Sequence, residues 1–124
     1  MASAIASGIQ DSGLPEPDLC VLPATGKDSA EVRAMLDELD FDARMRRARA
    51  VVIATERLQE KTLAGSVTFE IATRARQGGV PAYAITSANE LDAFDARILD
   101  LQLILQARSR SALIAAGRKL AALA

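Results

Sequence analysis

The chain of 124 residues has no histidine, no tryptophan and a single cysteine, Cys20. Without histidine, Ser-His-Asp and Cys-His catalysis are excluded, as are His-ligated zinc and the usual neutral-pH switch. One cysteine allows no internal disulfide and no thiolate metal cluster. Cys20 lies in an apolar run, so the expectation is a buried, inert thiol. Aromatics are 3% of the chain, so aliphatic side chains and alanine must do the filling. No apolar run approaches the ~20 residues of a membrane span. The first ten residues lack the basic residues and long apolar stretch of a signal peptide. A cytoplasmic protein with no membrane partner is therefore expected. The net charge of −1 argues against coating nucleic acid by bulk attraction.

What is present is an ordinary globular balance, half hydrophobic and a quarter charged. A typical domain has about 100–150 residues, so one domain over residues 1–124 is expected. Residues 2–9 read as an alanine-rich helix, stopped by Ser12-Gly13 and by Pro15 and Pro17. Leu19-Cys20-Val21-Leu22 has strand length and ends at Pro23. Thr25-Gly26-Lys27-Asp28 reads as a turn, with Asp28 or Ser29 capping a helix whose apolar face is Val32, Met35, Leu36 and Leu39. A second short helix is expected from Phe41 through Arg49. Ala50-Val51-Val52-Ile53-Ala54 is β-branched and uncharged, the pattern of a strand buried on both faces.

The remainder repeats the alternation. Val67, Ile71 and Ala75 lie four apart, so residues 62–77 read as a helix stopped by Gly78-Gly79. Residues 81–86 read as a strand, and Ser87-Ala88-Asn89 as a loop into a helix from Glu90 to Arg97. Leu99, Leu101, Leu103 and Leu105 alternate with polar residues and favour a strand over a helical stripe. Ser109 or Ser111 then caps a last helix with Leu113, Gly117, Leu120 and Leu123 on its buried face. Strands alternating with helices mean βαβ units with right-handed crossovers. The expected fold is α/β: a three-layer, Rossmann-like domain of about four parallel strands with helices on both faces.

Ligands in open parallel sheets bind beyond the carboxyl ends of the strands. The loop Pro23-Ala24-Thr25-Gly26-Lys27-Asp28-Ser29 joins a strand to a helix N-terminus, a geometry that suits anions. It is not a P-loop, because no glycine stands at the required distance before Gly26-Lys27. A plain capped turn is the simpler account of it. The loop from Ala54 to Ser66 is longer and more polar than a minimal connection. Arg44, Arg46, Arg47 and Arg49 follow an acidic run. Asp40–Arg44 and Asp42–Arg46 fall at i,i+4, and no aromatic platform accompanies them, so a solvated helix face is expected, with no nucleic-acid partner. Tyr83, inside a strand, reads as packing.

The segment from Ile53 resembles the type I glycerate kinase family, whose strand is followed by a pattern close to I-T-G-E-G-R-L-D-x-Q-T-L-x-G-K, a helix and a strand opening V-P. Ile53, Glu56, Arg57, Leu58, Thr62, Leu63 and Gly65 keep that order, and Val80-Pro81 follows. The likeness extends over nearly the whole chain and is specific between residues 50 and 84. The family's first strand, with its D-S-F-K-G-S loop, has no counterpart. Ala54 and Thr55 replace the T-G, the glycine after the glutamate is missing, and Gln59, Lys61 and Ser66 replace the aspartate, glutamine and lysine.

Phosphoryl transfer requires a carboxylate for metal or substrate hydroxyl and cations or backbone donors for phosphate. With the aspartate and lysine gone together, the resemblance implies a reduced, catalytically impaired relative. Its candidate catalytic residues are Glu56 and Arg57, whose simpler account is a surface ion pair. The expected ligand-binding residues, for a small anionic ligand at the strand ends, are Thr25, Gly26, Lys27, Ser29, Glu56, Arg57, Thr62, Gly65, Ser87 and Asn89; no metal ligands are assigned. If the chain is instead an active phosphotransferase, ATP and magnesium are its expected cofactors. A third reading is a non-enzymatic interaction module, a homodimer formed over an uncovered sheet edge.

Overall fold

The structure is a computed structural model that describes residues 1–15, 17–22, 28–59 and 66–123. The elements run α1 (Ala2–Asp11), α2 (Ser29–Glu38), α3 (Phe41–Arg46), β1 (Val51–Leu58), α4 (Val67–Gly78), β2 (Ala82–Asn89), α5 (Ala93–Leu99), β3 (Leu103–Gln106) and α6 (Arg110–Leu123). The fold is α/β. Among the described residues the sheet has three parallel strands in the order β1-β2-β3, rather than the expected four. Both crossovers carry a helix, as parallel pairing requires.

The missing fourth strand is residues 19–22, which form no strand. Leu19 and Val21 are 50% and 90% exposed, and Cys20 is exposed rather than buried. Proline at positions 15 and 17 removes N–H donors from the approach to this run. Arg44 then ties it down: its Nε donates to Asp18 Oδ2 at 2.7 Å and its Nη2 to the other carboxylate oxygen. That hydrogen bond holds the Asp18 carboxyl below its ordinary range, against the opposing effect of burial and with help from the charges of Arg44 and Arg47. The segment is thus fastened to α3 instead of pairing with the sheet. The same bond replaces the expected Asp40–Arg44 pair. Asp42 likewise turns to Arg74 instead of Arg46.

Helix starts follow their caps. Asp28 accepts from the Glu31 N–H at 2.8 Å, Ser66 from Phe69 at 3.0 Å, Asp92 from Asp95 at 2.8 Å and Ser109 from Ala112 at 3.1 Å. Each satisfies an N–H that the first turn leaves without a carbonyl. The Asp92 cap moves the start of α5 three residues beyond the expected Glu90. Gly79 ends α4 in the left-handed region, φ 71°, a conformation that glycine adopts without steric cost. Helix α3 stops at Arg46, short of Arg49.

Strands β1 and β2 both run past their expected ends. Their register pairs Val51 with Ala82, Thr55 with Thr86, and Leu58 with Asn89. Each strand's polar tail is extended because the other is there to pair with, a tertiary effect that propensity does not record. Ser87, Ala88 and Asn89 are therefore strand, not loop. Leu99 ends α5 and Leu101 lies in the connection, so the leucine alternation is strand only over Leu103–Gln106.

Strand β2 alternates between two apolar clusters, as period two demands. Tyr83 and Ile85 pack with Ile5 of α1 and Ala116 and Leu120 of α6. Ala84 packs with Val32 and Leu36 of α2, Ile71 and Ala72 of α4, and Leu99 of α5. Leu36, Ile85 and Ala84 are fully buried. Helices α1 and α6 meet backbone to backbone. A Cβ on Gly8 would lie 2.0 Å from the Ile114 carbonyl oxygen, and one on Gly117 would lie 2.2 Å from that of Ile5. Leu123, expected on the buried face, is 54% exposed.

On the other side a charged seam joins α2, α3 and α4. Arg74, with its side chain 11% exposed, donates to Glu70 at 3.2 Å, Asp37 at 2.9 Å and Asp42 at 3.2 Å. Burial alone would lower the Arg74 pKa, but the three carboxylates outweigh it and hold the guanidinium charged.

Candidate functional site

The carboxyl ends of β1 and β2 form one corner. Register places Arg57 beside Ala88 and Leu58 beside Asn89. The Leu58 carbonyl accepts from Glu90 N–H at 2.8 Å, so the chain leaves β2 across the tip of β1. Thr86, fully buried, fixes this exit locally. Its hydroxyl accepts from the Ala88 N–H at 3.3 Å and donates to the Ala88 carbonyl at 3.2 Å. Asn89 then makes a turn, its Oδ1 accepting from Leu91 at 3.2 Å.

Arg57 does not pair with Glu56. Its Nε lies 3.5 Å from Glu90 Oε1, with the two side chains 60% and 50% exposed. Such a pair contributes at most about 1 kcal/mol, so an incoming anion could displace Glu90 at little cost. Glu56 is exposed on the same strand end. Ser87 and Asn89 join this corner through the ladder. Ser29 does not: it opens α2, exposed, and shares no hydrogen bond or ion pair with the corner among the described residues. Thr25, Gly26, Lys27, Thr62 and Gly65 lie outside the described residues.

Two participants escaped the sequence reading. Gln106, the last residue of β3, accepts from the Asn89 N–H through its Oε1 at 3.0 Å. Arg108 donates from Nε to the Ser87 carbonyl at 2.9 Å. Both lie at a third strand end, Gln106 closing β3 and Arg108 two residues beyond it, so their position after the Leu103–Leu105 run was the available signal. The corner therefore holds two guanidinium groups, Arg57 and Arg108, each facing solvent, with carboxylates on Glu56 and Glu90.

The position of the family pattern's lysine is Ser66. Its hydroxyl caps α4, a structural task that brings no positive charge. The glycerate kinase family model matches residues 13–118. The chain belongs to the glycerate kinase family. No curated protein sequence matches it. Membership accounts for the retained order of Glu56, Arg57 and Leu58 at the end of β1, where an open parallel sheet presents its ligands.

A glycerate kinase site for magnesium and nucleotide would need convergent carboxylates. Among the described residues, no group of three or more cysteine, aspartate or glutamate side chains is placed to hold a metal ion. Nor is any helix among the described residues long and apolar enough to cross a membrane.

Proposed function

We propose that this glycerate kinase family chain is catalytically impaired and retains a small-anion site at the carboxyl ends of a three-layer, Rossmann-like sheet. The observation that carries the reading is the use made of Ser66. Where the family pattern has a lysine, this chain has a hydroxyl committed to the α4 N-cap. The cation for a transferring phosphoryl group is absent at that position, while Gln59 stands where the pattern has an aspartate. Loss of both members weakens positioning and charge stabilisation together, and these are nearly all that phosphoryl transfer asks of a protein.

Binding can outlive chemistry because it needs less. Arg57 and Arg108 offer cationic donors, and the Arg57–Glu90 pair is weak enough to open. Thermal unfolding tests this reading with glycerate, phosphoglycerate, and ATP or ADP with magnesium. A ligand at 100 times its dissociation constant adds about 2.7 kcal/mol, or roughly 10 °C for a domain of this size. A shift with one of these anions that falls when Arg57→Ala is introduced supports the site. No shift with any of them removes it.

A second reading, the homodimer, draws on different residues. Phe94 and Ile98 lie one turn apart on α5 and are 71% and 40% exposed, and β1 and β3 are both sheet edges. Exposed edges and apolar patches are ordinarily covered. Light scattering that gives twice the chain mass at high concentration supports the dimer, and a clean monomer counts against it.

A further inference from the structure

Away from the strand-end corner, a groove of about 550 Å³ opens between α1, residues 14, 15 and 17–19, and the open side of β1. That volume lies in the range of small-molecule sites, roughly 300–1,000 Å³. Its floor is Ile5 and Ile9 of α1, Val52 of β1, Tyr83 of β2 and Leu120 of α6. Ala50 just before β1, Ala54 on it, and Ala2 and Ala6 on α1 leave the space open. Tyr83 is 8% exposed. Its hydroxyl makes no protein hydrogen bond among the described residues and is not among the sealed polar atoms, of which none lacks a partner. A phenol in an apolar wall normally finds a partner, so this one is available to a guest in the groove.

The rim is cationic. Arg44, Arg47 and Arg49 line it, and among the described residues Asp18 is the carboxylate that faces them. Asp18 is taken up by Arg44. Arg47 and Arg49 are exposed and make no ion pair among the described residues. An apolar trough with surplus guanidinium groups at its mouth complements one chemistry: an apolar body ending in a negative charge. We infer that this groove binds an amphiphilic anion, of the class of medium-chain carboxylates, with the chain on Ile5, Ile9 and Val52 and the carboxylate at Arg47 and Arg49. This site is separate from the strand-end corner and does not depend on the reading proposed for it.

Calorimetric titration with decanoate, below its micelle concentration, tests the inference, with decanol and inorganic phosphate as probes of body and charge alone. Decanoate is expected to bind, and decanol and phosphate each about tenfold more weakly or not at all. Reversing the rim with Arg47→Glu and Arg49→Glu, two exposed positions, should weaken decanoate about tenfold. Ala54→Trp should abolish binding by filling the groove. In the unaltered protein, decanoate should shift the methyl resonances of Ile5, Ile9 and Val52. The inference fails if decanoate does not bind, if decanol binds as well, or if the shifts fall elsewhere. It fails equally if a second copy occupies the groove, seen as a dimer that decanoate does not dissociate.

Discussion

The two sides of the sheet are closed by different means. On the α2–α4 side, long aliphatic side chains fill the interior around Leu36, and Arg74 ties the helices together from above. On the α1–α6 side, two glycines let the helix backbones touch, and the pair covers β2 and β3. Helices drawn so tightly onto each other leave the flank of β1 uncovered, and the arginine-rimmed groove lies there. Side-chain packing on the α2–α4 side leaves a smaller cavity, about 230 Å³ beside Phe41, Ile53 and Ile71, whereas close backbone packing of two helices leaves the larger groove beside them. The strand-end corner belongs to neither interior: its charges are exposed and loosely paired. Stability and candidate chemistry are thereby segregated.

That contrast can be broken from either side. Leu36→Ala should cost the most, about 3 kcal/mol, because a fully buried leucine leaves a cavity in a packed wall. Urea denaturation measures it. Gly117→Ala should cost about 2 kcal/mol: alanine favours a helix by up to about 1 kcal/mol, but its Cβ would lie 2.2 Å from a backbone carbonyl that cannot give way. A stabilised Gly117→Ala protein would show that the backbone contact is not as close as described. Arg74→Met should cost roughly 1–2 kcal/mol, since it strands three carboxylates of which two are well exposed. Arg57→Ala, by contrast, should change stability by less than about 0.5 kcal/mol, which separates the arginine that holds the fold from the one in the family motif.

The smallest effect is electrostatic. The folded Asp18 carboxyl titrates below its ordinary value because Arg44 hydrogen-bonds its charged form. A lowered folded pKa adds stability above the unfolded value, about 3.9, and loses it as pH falls through the folded one. In Arg44→Gln the Asp18 midpoint, followed by carboxyl-carbon NMR, should rise towards the ordinary value.

Local signals carried the elements that were read correctly. Asp28 and Ser109 are caps by chemistry, and Gly79 a stop by geometry, so these helix ends were legible at single positions or nearby, whereas Ser66, expected inside a helix over 62–77, is the N-cap of α4. The run Ala50 to Ala54 could only be strand. What failed depended on distant partners. Residues 19–22 have strand composition, but Asp18 finds Arg44, 26 residues away in sequence. The tails of β1 and β2 look like loop and become strand because they pair with each other. In the corner, Glu56 and Arg57 were visible from motif order. Gln106 and Arg108 were not, because only the ladder brings β3 next to β2. The groove was invisible altogether, since five separate segments line it.

The proposed function rests on a family fold kept while Gln59 and Ser66 stand where the family pattern has its aspartate and lysine. A coupled ADP-release assay with glycerate, ATP and magnesium tests this most directly, run on the intact chain and on Glu56→Gln. The account predicts no glycerate-dependent ADP release above the protein-free background in either. Glycerate-dependent turnover in the intact chain that disappears in Glu56→Gln would contradict it and place working chemistry at the end of β1.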